Sequence, residues 1–177
     1  MTPYTQLSLW LTPREPLRSV LRATIRELAV QYDAVEFEPH VTVFCGPSTD
    51  DEGRAIVRRI AGQFPPIELT GDRLAHSELY TKTLFVQFHD SAVLWQIFKT
   101  AAAYCSQPSN YVLNPHLSLI YKKLDEGSRR TLCNALDVPM GSYGFDCVRM
   151  IETELPIEDE GPVRRWRVVC DEPLAES

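Results

Sequence analysis

The chain alternates period-two segments with stretches of helical spacing, and it does so twice. Gln6 to Leu11 places Leu7, Leu9 and Leu11 on one face and Ser8 and Trp10 on the other, the pattern of a half-buried strand. Thr12-Pro13-Arg14-Glu15 has the form of a capping box with proline at the first helical position, and Leu17, Leu21, Ile25 and Leu28 follow at helical spacing. A strand is expected from His40 to Cys45. A second capping box at Thr49 to Glu52 leads into a helix carrying Ile56, Val57 and Ile60, and Ile67 to about Ala75 reads as a strand. The second half repeats this order. Thr83 to Phe88 is a strand, Val93 to Ala101 a helix face, His116 to Tyr121 a strand, Asp125 to Leu136 a helix and Tyr143 to Ile151 a strand. Trp166 to Cys170 adds a last strand, the acidic segment Glu152 to Pro162 reads as an exposed loop, and Leu174 to Ser177 as a frayed tail.

Each half therefore reads β-α-β-α-β, with a histidine on its second strand. Those two strands contain near-copies: Pro39-His40-Val41-Thr42-Val43 and Pro115-His116-Leu117-Ser118-Leu119. In each, the histidine and the hydroxyl share one face and the apolar residues the other. A proline that begins a strand keeps the residue before it extended and loses no essential ladder bond, so it can aim the following histidine out of the sheet end. The hydroxyl sits about 7 Å further along the same face. Trp10 and His40 are separated by nearly the same span as Phe88 and His116, which supports an internal duplication. The expectation is an α+β domain over 1–177 with two pseudo-symmetric lobes, near 1–76 and 83–170, between which terminal strands can exchange.

Two imidazoles can serve as general base and general acid, and two hydroxyls can donate to an anion between them. If the two strands lie side by side, all four groups line one cleft. That set suits the opening of a strained cyclic phosphodiester without a metal. An ordinary histidine pKa near 6.5 lets one ring be neutral and the other charged around neutral pH, so a bell-shaped pH profile is expected. One such histidine alone would more often be structural, and Thr and Ser also occur on strand faces for packing; the doubling carries the argument.

Composition narrows the partners. With a net charge of −6 over 177 residues, the chain is a poor non-specific binder of long nucleic acid. The five cysteines are odd in number and form no Cys-x-x-Cys, so free buried thiols in a reducing compartment are expected. Met1 to Leu11 has neither a basic n-region nor an apolar core of signal-peptide type, and no apolar run approaches a membrane span. A cytoplasmic monomer is the expectation. His76 and His89 lie outside the repeated motif, and no His-Glu-x-x-His suggests zinc. No Walker A loop and no Gly-x-Gly-x-x-Gly is present, so no cofactor is expected. Arg164, Arg165 and Arg167 flank Trp166 and are candidates for a phosphate contact, with a solvated strand edge as the plainer alternative.

At these residues the chain resembles the 2H phosphoesterase superfamily. Ser8-Leu9-Trp10, Phe37 to Val43, Pro115 to Tyr121 and Trp166 before Val168-Val169-Cys170 are similar to its cyclic phosphodiesterase family, over nearly the whole chain. The resemblance implies a bilobal fold with the cleft between lobes. It implies hydrolysis of ADP-ribose 1″,2″-cyclic phosphate or nucleoside 2′,3′-cyclic phosphates. It also implies His40 and His116 as the catalytic pair and Thr42 and Ser118 as phosphate ligands, with Trp10 and Tyr121 lining the cleft. Strict alternation would turn Tyr121 away from His116 unless the strand bends near Ile120. Lys82, where family members often carry glutamine, is a candidate phosphate contact or a solvated turn lysine. The rivals are an RNA 2′,3′-cyclic phosphodiesterase of the RNA ligase-like branch and a non-catalytic phosphate-binding module.

Overall fold

The structure, a computed structural model, describes residues 4–175. Its elements in chain order are β1 (Tyr4–Pro13), α1 (Leu17–Tyr32), β2 (Val41–Gly46), α2 (Asp50–Gln63) and β3 (Ile67–His76). A single 3-10 turn over Tyr80–Lys82 leads to β4 (Leu84–Phe88), α3 (Ala92–Tyr104), β5 (His116–Ile120), α4 (Glu126–Ala135) and β6 (Ser142–Leu155). α5 (Glu160–Arg164) and β7 (Arg167–Pro173) follow. The protein is thus α+β, and all strand pairings are antiparallel.

The strands run in the order β1-β2-β5-β4-β3-β6-β7, and β1 also pairs with β6. The repeat is interlaced. β3, the third strand of the first half, pairs with β4, the first strand of the second. Reciprocally, β6 pairs with β1 along Tyr4↔Leu155 to Pro13↔Phe145. The two groups of strands meet where β2 and β5 touch at a single residue pair, Val41↔Leu117. That junction carries both histidine motifs.

The period-two pattern divides the sheet's faces as expected. Leu7, Leu9 and Leu11 of β1, Val41 and Val43 of β2, and Leu117 and Leu119 of β5 are buried in the core. α1 packs against β1 and β5, α2 against β6 and β7, α3 against β2, and α4 against β3 and β4. Gln6, Ser8, Trp10, His40, Thr42, His116 and Ser118, on the other face, line a cleft. Burying each Leu or Val side chain stabilises by about 1.5–3 kcal/mol, so a register slip that exchanged the faces would forfeit the core.

Local signals held where no strand competed for them. The Thr49 capping box forms, with the Thr49 hydroxyl accepting from Glu52 N and the Glu52 carboxylate accepting from Thr49 N at 2.7 Å. The Thr12 box does not form. Thr12 is fully buried inside β1, which extends to Pro13 against Phe145, and α1 starts at Leu17 without a side-chain cap. Glu15 instead accepts from Ser19 N at 3.1 Å. The long ladder with β6 outweighs a cap worth about 1 kcal/mol. The segment from Glu152 is not all loop: β6 continues to Leu155 along β1, and Glu160–Arg164 forms one helical turn capped by Asp159. Nor are Leu174 and Ala175 frayed. Leu174 N donates to Asp146 O at 2.8 Å and Ala175 N to Ala61 O at 3.0 Å. Glu176 and Ser177 lie outside the described residues, as do Met1 to Pro3. No described helix is long and apolar enough to cross a membrane. All five cysteines are unbridged and half-buried.

Candidate active site

Antiparallel pairing at Val41↔Leu117 sets His40 across from Ser118 and Thr42 across from His116, so each histidine faces the other motif's hydroxyl. All four line one cleft of about 180 Å³. Both rings are oriented in the same way. His40 Nδ1 lies 2.6 Å from Glu38 O, and His116 Nδ1 lies 2.7 Å from Asn114 O. A carbonyl oxygen only accepts, so Nδ1 carries the proton in both rings and Nε2 is left free to exchange one. In each motif the proline sits between that carbonyl's residue and the histidine, and so stiffens the turn that fixes the tautomer. Glu38 is itself held by Arg18 at 3.2 Å and Arg22 at 2.8 Å. Burial alone would raise the Glu38 carboxyl, but the Arg22 and Arg18 hydrogen bonds outweigh it and hold the group below its ordinary value.

Burial pushes the His40 pKa from its ordinary value down to about 4, and the neighbouring His116 and Arg149 add to the fall. Burial likewise takes His116 to about 4, with Lys82 adding to it. In both rings the hydrogen bond to the backbone carbonyl opposes the shift. This differs from the expected division into one neutral and one charged ring at neutral pH: the low-dielectric cleft keeps both neutral.

Aromatic rings back the pair. Trp10 stacks on His40 at 3.6 Å and 8°, and Phe85 meets His116 edge-on at 5.5 Å. The registers Trp10↔Thr42 and Phe85↔Ser118 make these two rings counterparts. The symmetry partner of Trp10 is therefore Phe85, not the Phe88 that sequence spacing suggests. Trp10 is 3% exposed, so it buttresses an imidazole more than it offers an open wall.

Two matching bulges shape the floor. The β1–β2 register shifts between Leu9 and Trp10, and the β4–β5 register between Leu84 and Phe85. Each adds a residue to a histidine strand, which re-phases the side chains beyond it. Thr42 and Cys45, three apart, consequently both line the cleft, and so do Ser118 and Tyr121. This brings Tyr121 in despite the alternation. Its ring stacks on Phe37 at 3.8 Å and is 4% exposed. Cys45, its counterpart, was missed in the sequence; extending the pentad comparison by two residues would have found it. Its thiol lies 3.1 Å from the Ser8 hydroxyl, and burial pushes its pKa up to about 11.

Trp166 completes the aromatic wall, edge-on to Trp10 at 5.0 Å. The Ser118 hydroxyl donates to Thr81 O at 2.7 Å, and the Tyr111 hydroxyl donates to Thr42 O at 3.0 Å. Lys82 does not line the cleft; its ammonium rests 4.3 Å over the Phe85 ring. Arg164, Arg165 and Arg167 do not line it either. Glu160 holds the first at 2.9 Å, Glu154 the second at 2.7 Å, and Asp50 and Glu152 the third at 3.0 and 3.1 Å. Sequence reading also passed over Arg149, which lies opposite Trp10 on β6 and pairs with Asp171 at 3.4 Å. Among the described residues, no three His, Cys, Asp or Glu side chains gather as a metal-holding group.

The model of the cyclic phosphodiesterase-like proteins matches residues 5–174. The chain belongs to this family. Cyclic phosphodiesterase-like proteins are 2H phosphoesterases, and the fold agrees. The apo crystal structure of Escherichia coli LigT superposes with a TM-score of 0.60 at 16% identity, over 99% of this chain and 100% of that one. TT0787 of Thermus thermophilus gives 0.62 at 15% identity, over 97% and 99%. LigT complexed with 3′-AMP gives 0.57 at 16% identity, over 99% and 100%. No curated protein matches the chain in sequence. As a cyclic phosphodiesterase-like protein, it carries the duplicated motif at the point where its two strand groups meet.

Proposed function

We propose that the cleft hydrolyses small nucleotide-like cyclic phosphates, ADP-ribose 1″,2″-cyclic phosphate or nucleoside 2′,3′-cyclic phosphates, by metal-independent acid–base catalysis from His40 and His116. The observation that carries this reading is the matched pair of Nδ1 anchors, which leaves two Nε2 atoms for proton transfer at one cleft. A phosphate between the strands accepts from the Thr42 and Ser118 hydroxyls, the latter after turning from Thr81 O. One neutral histidine takes a proton from water as the oxygen adds to phosphorus. The other, protonated, gives a proton to the ring oxygen that leaves. Water is thereby added across one P–O bond, and each proton transfer is worth roughly 100- to 10,000-fold.

Because both rings are neutral at rest, the acid must gain its proton as the anionic substrate binds, when the phosphate charge stabilises an imidazolium. Among the described residues, no Lys or Arg lines the cleft, which favours a small substrate over an RNA chain. The test is turnover of ADP-ribose 1″,2″-cyclic phosphate and the four nucleoside 2′,3′-cyclic phosphates in excess EDTA. His40→Ala and His116→Ala should each lose at least roughly 100-fold in kcat. Full activity in either variant would refute the two-histidine reading.

A further inference from the structure

The cleft does not end at the motif residues. Beyond Gln6, Cys45 and Tyr111, which line it, a second hollow opens that the same three residues also border. Tyr4, Gly46, Pro47, Pro108, Ser109 and Asn110 complete it. We propose that this hollow is the nucleobase site. The inference rests on the reading of the cleft as a cyclic phosphodiesterase site.

Spacing is the first argument. Trp10, Ser8, Gln6 and Tyr4 follow one another on one face of β1, about 7 Å apart. Trp10 is level with Thr42, and Ser8 with Cys45. A phosphate held at Thr42 therefore puts its ribose over Ser8 and Cys45, and the next step of the strand, Gln6, is where the base arrives. Ser8 is hydrogen-bonded to Cys45 and to Thr153 at 3.3 Å, so the floor under the ribose is closed.

Chemistry is the second. Among the described residues, no charged side chain lines the hollow, so a second phosphate there would find no counter-charge. The hollow does hold the amides of Gln6 and Asn110, each both donor and acceptor, and the rings of Tyr4 and Tyr111. That mixture suits a neutral heterocycle. Tyr4 is 51% exposed, so its ring has surface to give. Trp10 and Tyr121 on the opposite side do not: His40 occupies a face of Trp10, which is 3% exposed, and Phe37 a face of Tyr121, which is 4% exposed.

Rigidity is the third. The 109–111 segment is fastened to β2 before any ligand arrives. The Ser109 hydroxyl donates to Cys45 O and accepts from Tyr111 N at 3.0 Å, and the Tyr111 hydroxyl donates to Thr42 O. A pre-formed pocket loses less entropy on binding.

The test compares kcat/KM for nucleoside 2′,3′-cyclic phosphates with that for the base-free cyclic phosphate of ethylene glycol, in the wild type, Asn110→Ala and Tyr4→Ala. The wild type should prefer the nucleoside substrates by about 100-fold or more. Each variant should cut that ratio about 5- to 10-fold, mainly through KM. The base-free rate serves as the internal control for folding and for the histidine chemistry. A ratio left unmoved in both variants would overturn the assignment while sparing the proposed function. No wild-type turnover of either substrate class would overturn the underlying reading and this inference with it.

Discussion

Lowering the pH should destabilise this protein through its two histidines before its carboxylates take part. Both imidazoles stand near pKa 4 in the fold, against an unfolded value near 6.5. The folded value is depressed, so the stabilisation is present above the unfolded pKa and is lost as pH falls through the window from about 6.5 to about 4. Between pH 7.5 and 5.5 the unfolded chain binds nearly one proton per histidine and the native state almost none. Linkage then gives about 1.3 kcal/mol lost per histidine, or about 2.6 kcal/mol for the pair. Over the same interval Asp and Glu remain ionised in both states, which isolates the effect. The assay is urea denaturation at the two pH values in wild type, His40→Gln, His116→Gln and the double variant. Each substitution should remove about half of the pH dependence, whatever it does to stability at pH 7.5. A wild-type protein equally stable at pH 7.5 and 5.5, or a double variant that keeps the wild-type slope, would refute the claim that burial holds the two rings neutral.

The same depression sets the pH dependence of catalysis. The proposed mechanism needs one proton on the pair, so kcat/KM should rise about tenfold for each unit of pH lowered between 8 and 5, and initial-rate measurements with a maximum near pH 7 would contradict it. Removing the Thr49 capping box by Thr49→Ala should cost about 1 kcal/mol and lower Tm by roughly 2–4 °C, read by thermal denaturation, with turnover unaltered because the cap stands apart from the cleft lining.

How far the sequence reaches differs between its parts. The strand faces of β1, β2 and β5 were legible because period-two burial is a local consequence of the pleat: Leu7, Leu9, Leu11, Val41, Val43, Leu117 and Leu119 all went inward. The second capping box was legible because it depends on four consecutive residues. The first failed because β6, a partner strand far along the chain, claimed Thr12 and Pro13. The symmetric halves could be read from the order of elements, but not the crossing of β3 and β6 to the opposite half's first strand, which no local pattern encodes.

At the site, the sequence by itself determined which side chains the proposed chemistry draws on, since a doubled Pro-His-apolar-hydroxyl strand puts both imidazoles and both hydroxyls on like faces. Only the tertiary structure decided how they stand toward one another. The single Val41↔Leu117 contact set each histidine across from the other motif's hydroxyl, and paired bulges turned Cys45 and Tyr121 inward. Long-range packing placed Trp10, Phe85 and Arg149 around the rings and lowered both pKa values together. The physical reason is range. Side-chain direction follows from the backbone of the next few residues, whereas dielectric environment and register depend on segments that only the folded chain brings together.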